Sequence, residues 1–292
     1  MMNKKVLLMF FLPGALFMLL FLVVPIFQMI INSFFTYELG GVHEFVGFAN
    51  YQRLFTSKAF LKPLINTAIY VAVAVSAELV LGMILALLFN NPFPGNTIIR
   101  SFLLTPLMIA PIVAGLTWKL ILNTQYGFLN SLLVKIGLIS NVNDIMWLAD
   151  PKIALYSCCI ADIWLTTPFM MLMLLAGLKG LDKNVLEAAS IDGANAFQKF
   201  FQIKLPGILP VLLTAVSIRV VDAARTFDIV WVLTQGGPQN SSELLSITIY
   251  RTLVRYNEVG YASAIAIVFI LLLLIFALIF MRDMWKPKRR NA

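Results

Sequence analysis

The sequence predicts an all-α membrane protein with six transmembrane helices, and three observations lead there. Of its 292 residues 60% are hydrophobic and only 12% are charged, whereas soluble globular chains carry about 25% charged residues. Mean hydropathy over the chain is +0.89. Apolar segments recur at about 6–31, 64–89, 98–122, 153–178, 207–234 and 262–281, each long enough to cross a hydrocarbon layer of about 30 Å as a helix. Only helices and closed barrels satisfy their backbone inside lipid, and the alternating pattern of barrel strands does not occur here. This composition excludes a disordered chain, which needs low hydrophobicity and high net charge. It argues equally against an ordinary water-soluble enzyme.

The first element opens on Met1-Met2-Asn3-Lys4-Lys5, which resembles the start of a secretory signal. The apolar run then extends to Ile31, past the 7–15 residues or so of a signal h-region, and no small-x-small cleavage site follows. A retained helix is expected, with Pro13 and Pro25 near its ends, where a missing N–H costs least. The third span is interrupted by Pro106 and Pro111. Such breaks are tolerated where neighbouring helices or a cavity re-satisfy the backbone. The outer loops are modest, about 20–35 residues each, and carry Tyr37, Tyr51, Trp147 and Tyr256, residue types suited to a membrane interface. The expected division is 1–62 for the first helix and outer loop, 63–282 for the transmembrane core, and 283–292 for a basic tail.

Twenty-two Lys and Arg against 14 Asp and Glu give a net charge of +8. With a cytoplasmic N-terminus, twelve of these cations fall on the inner side and seven in outer loops. That bias places both termini in the cytoplasm. The tail Lys286-Pro287-Lys288-Arg289-Arg290 is then a lipid-headgroup anchor, and no nucleic-acid partner is expected. Cys158 and Cys159 are adjacent within an apolar run and read as small buried residues, since a relaxed disulfide wants its Cα atoms about 5.5–6 Å apart. A single histidine, His43, cannot build a metal site alone.

The informative loop joins the fourth and fifth spans. Asp182 is placed to cap a helix over Lys183–Ile191, and Gly193 suits the left-handed position that ends it. A second short helix is expected over 194–202, and Pro206 fits the first turn of the next span. Ala188, Ala189, Ile191 and Ala194 are small or apolar, so another backbone could approach closely. Phe197, Phe200 and Phe201 add aromatic surface of the kind that anchors interfaces. On the residues alone, the elbow either docks a partner or packs on its own helix ends.

Glu187-Ala188-Ala189, Asp192-Gly193-Ala194 and Ile203-x-Leu205-Pro206 resemble the EAA loop of ABC-importer permeases of the binding-protein-dependent, type I family. Phe45-Val-Gly-Phe-Ala-Asn50-Tyr51, Trp147-Leu-Ala-Asp150-Pro151, Trp164-Leu-Thr-Thr-Pro168-Phe169, Ala176-Gly-Leu178 and Gly236-Gly237-Pro238 resemble its carbohydrate-uptake branch, in the maltose-permease-like first-subunit form. The likeness covers 45–281. It implies a permease subunit without enzymatic activity in a bacterial or archaeal cytoplasmic (inner) membrane. Its partners would be a second related permease, two cytoplasmic ATPase subunits and an extracytoplasmic solute-binding protein. No G-x-x-x-x-G-K-[ST] occurs in the chain, so ATP and Mg would be held by the ATPases and no cofactor by this chain. The elbow becomes the coupling helix, with Glu187, Ala188, Ala189, Asp192, Gly193, Ala194, Phe197, Leu205 and Pro206 seated in an ATPase cleft.

Seven charged residues fall within the spans: Glu78, Lys119, Asp162, Arg219, Asp222, Arg225 and Asp228. Intramembrane charges are costly and are paired or functional. Arg219 with Asp222, and Asp222 with Arg225, are i,i+3 neighbours expected to neutralise each other, while Lys119 near a span end can snorkel. The resemblance carries sugar contacts onto Asp162, Leu165, Thr166 and Phe169, then Ala223 and Thr226. The first four follow one helical face. Arg219 or Arg225 would instead serve an anionic sugar. Two other classes compete with this reading. An ion- or proton-coupled carrier would account for the intramembrane charges, but such carriers show inverted repeats and none relates 1–146 to 147–292. A membrane enzyme finds neither a metal cluster nor a Ser/Cys–His pair in the sequence.

Overall fold

The computed structural model of the chain describes residues 4–38, 41 and 43–284, with side chains at 10–38, 41, 43–57 and 59–279. The expected anchor Lys286–Arg290 lies outside the described residues. Helix α1 (Lys4–Met18) continues through a π-helical turn (Leu19–Val23) into α2 (Val24–Asn32). Pro13 lies inside this helical stretch, and Pro25 follows the π turn. A widened turn is one way a helix absorbs a missing donor, so neither proline ends the span. Strands β1 (Phe35–Tyr37) and β2 (His43–Phe45) pair antiparallel in the first outer loop, followed by α3 (Ala49–Thr56).

Next come α4 (Lys58–Asn90) and α5 (Asn96–Leu104), a 3₁₀ turn (Thr105–Met108), α6 (Pro111–Ile121) and α7 (Phe128–Lys135). Then follow α8 (Ala154–Lys179), α9 (Lys183–Ile191) and α10 (Ala196–Gln198), with a π-helical stretch (Lys199–Lys204) leading into α11 (Leu205–Ala224). Last among the described residues come α12 (Asp228–Leu233), α13 (Leu245–Tyr250), a π turn (Arg251–Arg255) and α14 (Val259–Met284).

Among the described residues five helices are long and apolar enough to cross a membrane: Phe10–Asn32, Ala59–Asn90, Ala154–Lys179, Ala196–Leu233 and Val259–Ile279. The expected span over 98–122 is instead two helices, Asn96–Met108 and Pro111–Ile121, bent by 102°. The cause is local. Pro106 and Pro111 each remove a backbone donor, and Ile109 and Ala110 between them are extended. The pair makes a sixth span only if counted as one broken crossing.

Two compact units form, Met1–Leu61 with Thr248–Leu274 and Lys62–Ile247 with Ile275–Ala292. Residues 248–274 group with the N-terminal segment. In the first unit Asn50 donates to the carbonyls of Ser33 (2.9 Å) and Phe35 (3.0 Å), tying α3 to β1. Arg53 grips Glu258 with two hydrogen bonds of 2.7 and 3.2 Å and lies 4.1 Å over the Tyr261 ring. A residue from α3 thus holds the start of α14.

In the second unit α8 is the central element. One core cluster joins Tyr70, Leu155, Cys158, Cys159, Leu165, Ile229, Val230 and Ile247, and another joins Met83, Phe89, Met170, Met171, Leu174 and Ile208. Both cysteines are buried and free, as their setting predicted. Helices meet where glycine allows it, as membrane helices do. A Cβ on Gly82 would lie 2.7 Å from Met170 Cγ, so α4 and α8 approach to backbone contact there. A Cβ on Gly115 would lie 3.2 Å from Val232 Cβ, which brings the two short helices α6 and α12 together.

Candidate functional site

Two features stand out, both in the second unit. The first is the elbow. Asp182 Oδ1 accepts from the Asn184 amide at 2.9 Å and starts α9 as expected. Gly193 has φ +80°, a left-handed conformation that costs other residues about 1–2 kcal/mol. The Gly193 amide donates to Ser190 O at 3.2 Å and the Ala194 amide to Ala189 O at 2.9 Å, closing the end of the helix. Asn195 and Gln198 then form a reciprocal capping box, each bond 2.8 Å, and Lys199 Nζ donates to Ser190 Oγ at 2.9 Å across the bend. The second helix therefore starts at Ala196 and does not end at 202. It runs through the π-helical stretch directly into α11. Pro206 sits inside this continuous helix, and the widened turn before it lets the chain pass without the missing donor.

The expected coupling residues divide by exposure. Glu187, Ala188, Asp192, Gly193, Phe197 and Pro206 are exposed, and Ala189 and Ala194 are half-buried. Leu205 packs inward against the second core cluster together with Phe200 and Leu181. Ile191 is 86% exposed and Phe197 71% exposed, and the Phe197 and Phe201 rings lie 4.4 Å apart. The Glu187 carboxylate has no partner among the described residues. The elbow thus presents exposed apolar side chains beside a carboxylate, at the start of the candidate span Ala196–Leu233.

The second feature is a cavity of about 470 Å³ walled by α8, α11, α12 and the start of α6. Such volumes suit small solutes. Of the expected path residues, Asp162, Leu165, Thr166, Arg219, Asp222 and Thr226 line it. Phe169 and Ala223 do not. Phe169 shares the face of Asp162 but lies seven residues along α8, about 10 Å at 1.5 Å per residue. Ala223 is fully buried in the first core cluster.

The charges pair differently from the local expectation. Arg219 turns away from Asp222. Its Nε donates to Glu78 Oε2 at 2.6 Å, and its Nη2 to Glu78 Oε1 at 2.8 Å and Asp162 Oδ2 at 3.1 Å. Glu78, from α4, is fully buried. Thr166 Oγ1 lies 2.7 Å from both Glu78 Oε1 and Asp162 O. A single guanidinium thus draws α4, α8 and α11 together behind the cavity wall, where charge-assisted bidentate bonds are strongest. The expected Asp222–Arg225 pair does form, at 2.5 Å, with both side chains largely exposed.

The apolar pattern predicts a fifth span unbroken from 207 to 234. The structure breaks it at 225–227, between α11 and α12. The carbonyl freed at Thr226 accepts from Ser246 Oγ at 2.6 Å, and Lys119 Nζ donates to Val232 O at 2.9 Å near the end of α12. Lys119 therefore binds a helix terminus rather than reaching for the interface. Irregular backbone at membrane depth persists where it lines a cavity. The Arg225 and Asp228 side chains and Pro111 line this one, at both helix breaks. The run Arg219, Asp222, Arg225, Asp228 was the available signal, since four charges in ten residues do not suit an unbroken apolar span.

Residues 78–291 match the family described as "Binding-protein-dependent transport system inner membrane component". The trehalose/maltose transport system permease protein MalF of Thermococcus litoralis is 38% identical over 240 residues, covering 82% of this chain and 79% of that protein. The sulfoquinovosyl glycerol transport system permease protein SmoG of Agrobacterium fabrum is 34% identical over 272 residues, 92% of this chain and 87% of that protein. A chain of a bacterial ABC transporter that imports the acidic polysaccharide alginate has a TM-score of 0.83 at 20% identity, covering 98% of this chain and 97% of that one. A second alginate transporter structure, in complex with an alginate pentasaccharide-bound periplasmic protein, gives 0.82 at 21% identity, with 95% and 93% covered. The solved structures establish a shared fold. Six candidate crossings counting the bent pair, the elbow after α8 and the family match over most of the length agree: the chain belongs to the inner-membrane permease family of binding-protein-dependent transport systems.

Proposed function

We propose that the chain is one permease subunit of an ATP-driven, binding-protein-dependent importer for a carbohydrate. It supplies half of the passage and couples it to separate ATPase subunits. A second related permease supplies the other half, two cytoplasmic ATPases bind and hydrolyse ATP with Mg, and an extracytoplasmic binding protein delivers the sugar. Both termini face the cytoplasm. The relatives named for trehalose, maltose and sulfoquinovosyl glycerol support a sugar as the solute.

One observation carries this reading: the exposed elbow sits between the same two helices that wall the cavity. Thr166 lies 13 residues before the end of α8 and Arg219 lies 14 residues after the start of α11, each about 20 Å along its helix. Force applied at the elbow reaches the cavity through two rigid rods, and both rods meet helix breaks there. A nucleotide-driven partner that binds the elbow differently in two states biases the packing of those rods. The intramembrane charges, which would suit an ion-coupled carrier, are largely committed to each other. Proteoliposomes carrying the assembled importer test this. Uptake of labelled sugar is expected to require internal ATP and to persist under an uncoupler with ATP held constant. Collapse of uptake by the uncoupler would favour an ion-coupled carrier.

A further inference from the structure

We propose that the wall contributed by this chain favours sugars that are neutral or bear amino groups and repels anionic ones, with Asp228 as a specificity-setting group. This rests on the reading of the cavity as the sugar passage and names the class of solute it takes.

The carboxylates of this chain outnumber the cations they face at the wall. Arg219 and Arg225 are the two guanidinium groups of the wall. Arg219 gives Nε and Nη2 to Glu78 and Asp162, stands against two carboxylates and is only 4% exposed. Arg225 is held by Asp222 at 2.5 Å. Each cation is thus offset by at least one carboxylate of this chain, Arg219 by two in a buried network and Arg225 by one in an exposed pair. The hydroxyl proton of Thr166 is directed to Glu78 or to the carbonyl of Asp162, and that of Thr226 toward the carbonyl of Asp222 at 3.4 Å. Acceptors remain: the lone pairs of Thr166, the second carboxylate oxygen of Asp222, and both oxygens of Asp228. Asp228 is exposed in the cavity wall and has no partner among the described residues.

The charge balance agrees. Four carboxylates (Glu78, Asp162, Asp222 and Asp228) stand against two guanidinium groups, a formal charge of −2. The α6 terminus at Pro111 brings about +0.5 of dipole charge, too little to reverse the sign. A negative field between low-dielectric walls is focused rather than dissipated. Sugar hydroxyls and ammonium groups donate to such a surface. A uronate or sulfonate meets like charge, the repulsive element on which discrimination depends.

The test uses the complete importer, without its binding protein, in nanodiscs, so that receptor selectivity does not enter. Affinities are measured by saturation-transfer NMR for three probes: maltotriose (neutral), a deacetylated chitosan trisaccharide (cationic) and trigalacturonate (anionic). Maltotriose and the chitosan trisaccharide are expected to bind more tightly than trigalacturonate. Asp228→Asn, nearly isosteric and on an exposed side chain, is expected to narrow the gap between maltotriose and trigalacturonate by about tenfold, the scale of one partly screened charge interaction. Trigalacturonate binding at least as tightly as maltotriose, or a gap unchanged in Asp228→Asn, would overturn the proposal while leaving the passage in place. If none of the three binds, the assignment of this cavity as the sugar passage fails, and the proposal with it.

Discussion

Replacing Arg219 with methionine is expected to destabilise the chain by about 3–5 kcal/mol, the usual cost of removing one partner from a buried ion pair. Glu78 and Asp162 are fully or nearly fully buried, and Arg219 is the cation that holds both. Without it two carboxylates face one another among apolar helices, and an uncompensated charge at membrane depth is costly. Thr166 loses its ordered neighbour as well. Thermal unfolding of the importer in detergent reads the effect. Arg225→Ala is the control. Its pair with Asp222 is exposed, and exposed pairs contribute about 0–1 kcal/mol. A loss of stability in Arg219→Met no larger than in Arg225→Ala would contradict the role given to this network.

The second large effect concerns the elbow. Gly193→Pro is expected to leave membrane insertion intact while ATPase subunits no longer co-purify and sugar uptake falls at least tenfold. Proline fixes φ near −65°, against +80° at this position, and it removes the amide that donates to Ser190 O. The bend between α9 and α10 cannot then keep its angle. A Cβ at Gly193 would meet open space, so the damage stays local to the backbone. Glu187→Ala is expected to weaken ATPase docking through its lost carboxylate, with a smaller loss of uptake than the proline. Normal co-purification and transport in both variants would remove the elbow from the coupling path.

What the sequence made legible was local. Asp182, Gly193 and the apolar residues between them carry their capping and termination signals within a dozen positions, and α9 spans Lys183–Ile191 as those signals require. Long apolar runs identified the straight spans for the same reason. Pairing across the chain was not legible. Arg219 had Asp222 three residues away, yet its partners are Glu78 and Asp162, 141 and 57 positions distant. Helix packing decided between a local and a remote carboxylate, and an i,i+3 rule does not contain packing. The break at 225–227 was hidden similarly, because Ser246 and Lys119 stabilise its ends from elsewhere in the chain. The hairpin of Phe35–Tyr37 with His43–Phe45 went unanticipated because three-residue strands fall below what alternation reveals. Within the candidate cavity, the family resemblance points to Asp162 and Thr166, whereas Glu78 belongs to none of the motifs that carry it, although it accepts from Thr166 and Arg219.

Solute is expected to move through this polypeptide only when a nucleotide-driven neighbour works the elbow. The most direct measurement reconstitutes the chain alone in liposomes, imposes proton and sodium gradients in turn, and follows labelled sugar, beside liposomes holding the full importer with internal ATP. Accumulation is expected with the full importer and none with the lone chain under any gradient. Accumulation of sugar against its concentration gradient by the lone chain would contradict it.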